Sequence, residues 1–219
     1  MIAAQPPDPA AVIDLLGVLA YGELSAFDRM AADARMAPTT ELRAALSEVA
    51  AVEMGHYRKL VDRLTELGAD PQQAMAPFVE PIEAFHARTE PHNWGEALVK
   101  AYVGDGLAAD FYREIAAYVD EATHALVIEA LADSGNSEFA IREVGVLIDE
   151  DPTAASRLSL WGRRLVGEAI SQAQQVAADR DALVRLIVGG AGDLTGIGQL
   201  TDRITNRHVE RMTAIGLSN

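Results

Sequence analysis

The sequence predicts an all-α fold: a four-helix bundle with a long crossover between its second and third helices, followed by C-terminal helices. Three observations carry this. Apolar residues recur at steps of three and four through four long segments, the period of a helix with one buried face. The composition is 49% hydrophobic but only 5% aromatic, so the core is built from Ala, Leu, Val and Ile, which suits close-packed helices better than sheets. Prolines and capping residues fall at the ends of the periodic segments, and no segment reads convincingly as a strand. The 219 residues are expected to form one domain (1–219), with the bundle over about 10–150 and a helical extension over about 152–216.

Asp8-Pro9 reads as a helix start, with Asp as N-cap and Pro in the first turn. The first helix then runs to about Arg35, ahead of Pro38. Thr40 is expected to cap the second, which ends near Gly68. Each would be about 40 Å long at 1.5 Å per residue, and needs partners along its whole length. Residues 70–93 contain Pro71, Pro77, Pro81 and Pro91, which predicts a crossover with one or two short helices. The third long helix starts near Asn93 and runs to about Val119, and the fourth covers about Glu121–Asp149. Asp151-Pro152 repeats the start signal, and a break is expected near Asp179–Asp181. The run Gly189–Asp193 reads as a loop with Asp193 as the next N-cap. Gly216 closes the last helix.

Composition narrows the function. The net charge is −15, which disfavours DNA and anionic membranes as partners. The charge is uneven: residues 1–153 carry 10 basic and 27 acidic side chains, residues 154–219 carry 8 and 6. A polyanion contact would therefore involve the C-terminal third. There Arg157, Arg163, Arg164, Arg203, Arg207 and Arg211 read either as a basic surface for RNA or, more commonly for such residues, as ordinary surface ion pairs. With no cysteine, disulfides, iron–sulfur clusters and thiolate zinc sites are excluded, which fits a cytoplasmic protein. Met1–Pro9 lacks the pattern of a signal peptide. No apolar stretch reads as the roughly 18 residues that span a membrane.

The chemistry lies in the apolar seams, each of which is interrupted by an acid. The first reads Leu16, Ala20, Glu23, Phe27, Met30; the second Val49, Glu53, His56, Leu60. The third reads Leu98, Tyr102, Asp105, Ala109, Tyr112, Ala116, and the fourth Val127, Leu131, Ser134, Glu138, Ile141, Gly145, Ile148. Every step is three or four, so each acid should face the bundle interior. Burying a carboxylate is costly unless it is paired or binds a cation. Glu and His three apart on an inward face is how four-helix bundles build carboxylate-bridged metal sites. Glu23 and Glu53 are 30 residues apart, Asp105 and Glu138 33, as expected for acids at matched height in helix pairs. Tyr102 and Tyr112 share the seam of Asp105 and are placed to hydrogen-bond a bound ligand or to pack in the core. Gly22, Gly55, Gly104 and Gly106 flank the ligands, leaving room for close helix crossing or a ligand; Gly104–Gly106 also suits a π-bulge.

This pattern resembles the ferritin-like di-iron carboxylate proteins over about residues 10–150. Along phrases such as Val12–Ala26 and Ala97–Ile115 it is similar to the branch of tRNA-(2-methylthio-N6-isopentenyl-adenosine) hydroxylase. The resemblance implies two irons and oxygen hydroxylating a hydrocarbon tail on a modified tRNA base. It also implies a first half-site of Glu23, Glu53 and His56 with Glu53 bridging, Glu138 as second bridge and Asp105 as terminal acid of the second half-site. The chain departs from the family pattern at Ile141, where His is usual, and at Asp105, where Glu is usual. Val52 and Ser137 stand where an orienting acid often lies. The second half-site is therefore expected to be weak or absent, and a histidine at 141 to restore it. One histidine among oxygen ligands favours iron or manganese over zinc or copper. No catalytic residue is assigned beyond the metal ligands. The rival expectation is a non-catalytic bundle acting in assembly or partner binding. Helices of this length suggest a homodimer, with Leu158, Trp161 and Leu165 as contacts.

Overall fold

A computed structural model describes residues 8–131 and 136–218, the side chains of Asn136 and Leu194 apart. The helices are α1 (Pro9–Asp33, extended by a 3-10 turn, Ala34–Met36), α2 (Thr40–Glu66) and α3 (Pro71–Arg88). Next come α4 (Trp94–Val99), a π-helical segment (Lys100–Gly104) and α5 (Asp105–Ala116), which together form the third long helix. Then follow α6 (Glu121–Ala130), α7 (Asn136–Glu150), α8 (Thr153–Asp179), α9 (Asp181–Ala191) and α10 (Leu194–Ala214). No strand occurs among the described residues, and the all-α bundle expected from the sequence is what forms.

The local signals act largely as expected. Asp8, Asp70, Asn93, Asp120 and Asp193 cap α1, α3, α4, α6 and α10 through side-chain bonds to first-turn amides. Thr39, one residue before the expected cap, accepts from Leu42 to start α2. Gly68, Gly192 and Gly216 adopt positive φ, where a side chain would be strained. The break between α8 and α9 falls at Arg180, whose guanidinium bonds both carboxylate oxygens of buried Asp14 on α1.

Three expectations are corrected. The crossover is one 18-residue helix, with Pro77 and Pro81 inside it. Packing of Ala74, Met75 and Phe78 into the core outweighs the two amides that proline cannot supply. Gly189 and Gly190 belong to α9, because Gly190 packs flush on the ring of Tyr118, only 2.1 Å from where a Cβ would stand. Leu158, Trp161 and Leu165 are 5%, 7% and 1% exposed, so they serve this chain's own core instead of a partner's, and the Trp161 indole donates to the Glu96 carbonyl at 2.9 Å.

Contrary to the sequence expectation, Pro9–Met36 is long and apolar enough to cross a membrane by length and composition. Over half of its most apolar window is buried, as befits the helix most enclosed by α2 and α3.

The core falls into two apolar clusters. One holds Met30, Leu46, Leu98, Val103, Phe139, Val144 and the inward faces of α8 and α10. The other holds Leu15, Leu16, Leu19, Leu60, Leu64, Ile115 and Val127. Chain direction follows from these: α1 runs from the second cluster to the first, α2 and the third helix run back, and α6–α7 returns. The second and third helices therefore run parallel, which is why α3 must cross over. Glu23, Glu53, His56 and Asp105 all lie between the clusters in sequence.

At the α1–α3 crossing, a Cβ on Gly17 would stand 2.3 Å from the backbone oxygen of Ala74. Gly17→Ala should gain about 1 kcal/mol of helix propensity and lose about 3 kcal/mol by forcing the helices apart. The expected net loss of about 2 kcal/mol lowers the thermal midpoint by about 4–8 °C in a chain of this length. An unchanged midpoint by circular dichroism would show that α3 does not sit on α1 this closely.

Candidate metal centre

Seam spacing puts Glu23 on the inward face of α1 and Glu53 and His56 on that of α2. They are 8%, 4% and 7% exposed. His56 Nδ1 lies 3.0 Å from Glu53 Oε2 and 3.7 Å from Glu23 Oε2. One ligand atom from each of the three lies within 4.8 Å of the others, close enough for one ion to contact all three. Two carboxylates and an imidazole, largely buried between two apolar clusters, are a donor set that could hold a metal ion.

The electrostatics are those of like charges held together. Burial pushes the Glu23 carboxyl well above its ordinary range, and neighbouring Glu53 and Asp105 push the same way against His56. The carboxylates of Glu23 and Glu53 lift His56 to about 9, against burial. An imidazolium between two acids is thus the arrangement the protein itself offers, and a cation would take the same charge role.

Beside this group a cavity of about 190 Å³ is lined by Glu23, Glu53, Tyr102 and Asp105, and farther along by Asp110, Arg113, Ser137 and Arg211. Asp105 therefore shares the cavity with the two glutamates. Tyr102 is 8% exposed and lines it too. The Tyr112 hydroxyl stands 4.0 Å from where a Cβ on Gly22 would be, and burial, with Glu23 behind it, raises its pKa. Among the flanking glycines only Gly106 is closely approached: a Cβ there would strike the Arg211 guanidinium, which would have to move. Gly55 has nothing near it.

Glu138 is not brought to this cluster. It is exposed, while Phe139, Ala140 and Val144 are buried. The reason is that the seam runs one residue earlier than expected. On α6 the buried apolar residues are Val127 and Ala130, with Leu131 only half-buried, so the seam passes through Ala130 and not Leu131; Ser134 lies outside the described residues. Helix α7 turns residues 137, 140 and 144 inward, so Ser137 lines the cavity in the place expected for Glu138. Ile141 is 37% exposed on the same outer side, so a histidine there would not complete a second half-site.

Sequence reasoning missed the other end of the cavity. Asp110 on α5 is 2% exposed and accepts from Arg113 Nη1 at 3.0 Å and Arg211 Nη2 at 2.6 Å. Arg203, Arg207 and Arg211 recur every four residues on α10, the signal of a single charged stripe, and they bind Asp110 and Glu114. Arg157, Arg163 and Arg164 likewise bond within the chain, to Asp151, Ser218 and Arg88. A second buried polar group sits on the π segment. Burial holds Lys100 down to about 8, with Asp33 partly offsetting it, and His86 down to about 3.

A family model described as a ferritin-like domain of actinomycetes matches residues 8–190, from the first residue before α1 to within α9. No curated protein matches the chain.

Proposed function

Because the chain belongs to this actinomycete ferritin-like domain family, we propose that it is an iron-binding ferritin-like protein with one ion-binding centre at Glu23, Glu53 and His56, and that its activity is of the oxygen-dependent hydroxylase kind. Manganese is the alternative metal. The observation that carries this reading is the buried three-residue group, with its ligand atoms within 4.8 Å of one another. Iron bound there would supply oxygen and one-electron chemistry. The chain's own residues do the rest. Glu23 and Glu53 bring negative charge to a site almost closed to water, which strengthens their hold on a cation. His56 supplies the nitrogen donor. Asp105, across the cavity on α5, is the further acid within the same space. The position of Glu138 and Ile141 supports one centre over two.

One observation favours a second reading, a non-catalytic bundle. His56 already pairs with Glu53 at 3.0 Å, so the three side chains can satisfy one another without an ion. Anaerobic titration of iron(II) into the wild-type protein separates the two. One tight equivalent is expected, and the same single equivalent in Ile141→His. Two tight equivalents would sink the single-centre reading, and no binding would leave the non-catalytic bundle.

A further inference from the structure

The π segment buries an amine that the proposed metal centre does not use. Val99, Lys100, Ala101, Tyr102 and Val103 are all buried, and five consecutive residues cover a full turn, so Lys100 cannot swing outward. Lysine is almost never buried unless paired. Yet the Lys100 amine makes neither a hydrogen bond nor an ion pair among the described residues, and rests over the Phe85 ring, 5.8 Å from its centre. Arg29 Nε and His86 Nδ1 nearby are fully enclosed and unpartnered; the amine is not closed off in that way, and Lys100 is 6% exposed.

The charged and titratable groups that act on Lys100 are Arg29 and Asp33 on α1, Glu83 and His86 on α3, and Glu90 just after α3. Arg29 is paired with Glu83, and burial keeps His86 neutral, so Asp33 and Glu90 are the acids left to face the lysine. Burial outweighs both acids and holds the amine at about 8. About one amine in ten is then neutral at pH 7, against about one in 2,500 for an ordinary lysine. Composition sets the residue apart as well. Of 18 basic side chains only Lys59 and Lys100 are lysines, and arginine cannot lose its proton to become a nucleophile. Lys59 lies on the surface, held by Glu129 at 2.7 Å.

We infer that Lys100 is a reactive amine that condenses with a small uncharged aldehyde to form an imine over the Phe85 ring. The neutral nitrogen attacks the carbonyl carbon and forms a C–N bond. A proton passes from nitrogen to the carbonyl oxygen, the C–O bond breaks and water leaves, giving C=N. No oxidant or reductant is needed. Charge selects this chemistry. A carbamate formed from carbon dioxide would set a negative group beside Asp33 and Glu90, and an amide would leave those acids without a cation. A protonated imine keeps the positive charge. An anionic aldehyde would meet the same acids. The site uses no residue of the metal centre and stands apart from that reading.

Propanal with cyanoborohydride, which traps the imine as a secondary amine, tests this on the full wild-type chain, with added N-acetyl-lysinamide as an ordinary lysine. Peptide mass mapping reads Lys100 and Lys59 in the same molecule. At pH 7 Lys100 should be alkylated at least about tenfold faster than Lys59 and the reference, in line with its larger neutral fraction. Its advantage over the reference should shrink as pH rises above about 8. Asp33→Asn removes a carboxylate that favours the charged amine, so that decline should begin at lower pH. Glyoxylate in place of propanal should lower the ratio of Lys100 to Lys59. A Lys100 rate short of about tenfold that of Lys59 would overturn the inference, as would a pH profile that matches the reference or is unmoved by Asp33→Asn. A ratio that glyoxylate does not lower would overturn the choice of an uncharged aldehyde.

Discussion

Replacing His56 by alanine is expected to abolish tight iron(II) binding, lowering affinity by two orders of magnitude or more, about 3 kcal/mol. His56 is the nitrogen donor of the buried group, and its Nδ1 is the atom that both carboxylates approach, at 3.0 and 3.7 Å. Without it, Glu23 and Glu53 would face one another in a site almost closed to water. The Glu23 carboxyl is already pushed upward by burial and by its acidic neighbours, and His56 opposes that push. Removing His56 therefore favours a proton over a cation at Glu23. Anaerobic calorimetry on wild type and His56→Ala is the measurement, with helicity checked by circular dichroism. Equal affinity in the two proteins would show that the metal, if bound, is held elsewhere.

The parts of this site that were legible in the sequence lie on uninterrupted helices. On α1 and α2 the three–four seam holds over 25 and 27 residues, so counting from Leu16 or Val49 reaches Glu23, Glu53 and His56 in the correct phase. The same counting failed at Glu138 because it ran through Leu131, whereas the residue that α6 buries is Ala130. Seven residues on from Ala130 the inward position falls on Ser137, one residue before Glu138. Proline gave a similar lesson. Pro77 and Pro81 argue against a helix locally, but packing of α3 against α1, seen at Gly17 and Ala74, decides in its favour. The arginine end of the cavity was illegible for another reason. Asp110 and Arg211 are about a hundred positions apart, and no periodicity tells which of several acids a stripe of arginines will meet. The same holds for Leu158, Trp161 and Leu165, whose apolar face is visible in sequence but whose partner is not.

Asp110→Asn is expected to be the most destabilising of the substitutions considered, at about 3 kcal/mol. The carboxylate is 2% exposed and accepts from Arg113, Arg211 and, more distantly, Arg207. Asparagine keeps its shape and removes its charge, so the guanidiniums lose their shared counter-ion. Breaking a buried pair in this way costs about 3–5 kcal/mol, because the remaining charge is stranded. The lower end applies here. Arg113 and Arg207 are 40% and 37% exposed and can be rehydrated, whereas Arg211, at 13%, is rehydrated least. Glu114, which binds Arg203 at 2.7 Å and Arg207 at 3.0 Å, keeps α10 docked on α5. The thermal midpoint should therefore fall by about 6–12 °C while helix content and iron(II) binding persist, since Glu23, Glu53 and His56 come from α1 and α2. Adding Glu114→Gln should cost more than the sum of the two single changes, because both acids hold the same stripe of arginines. Strict additivity, or an unchanged midpoint in Asp110→Asn, would show that α10 is held by its apolar contacts, Met212 and Ile215 among them, and that the ion network is incidental to stability.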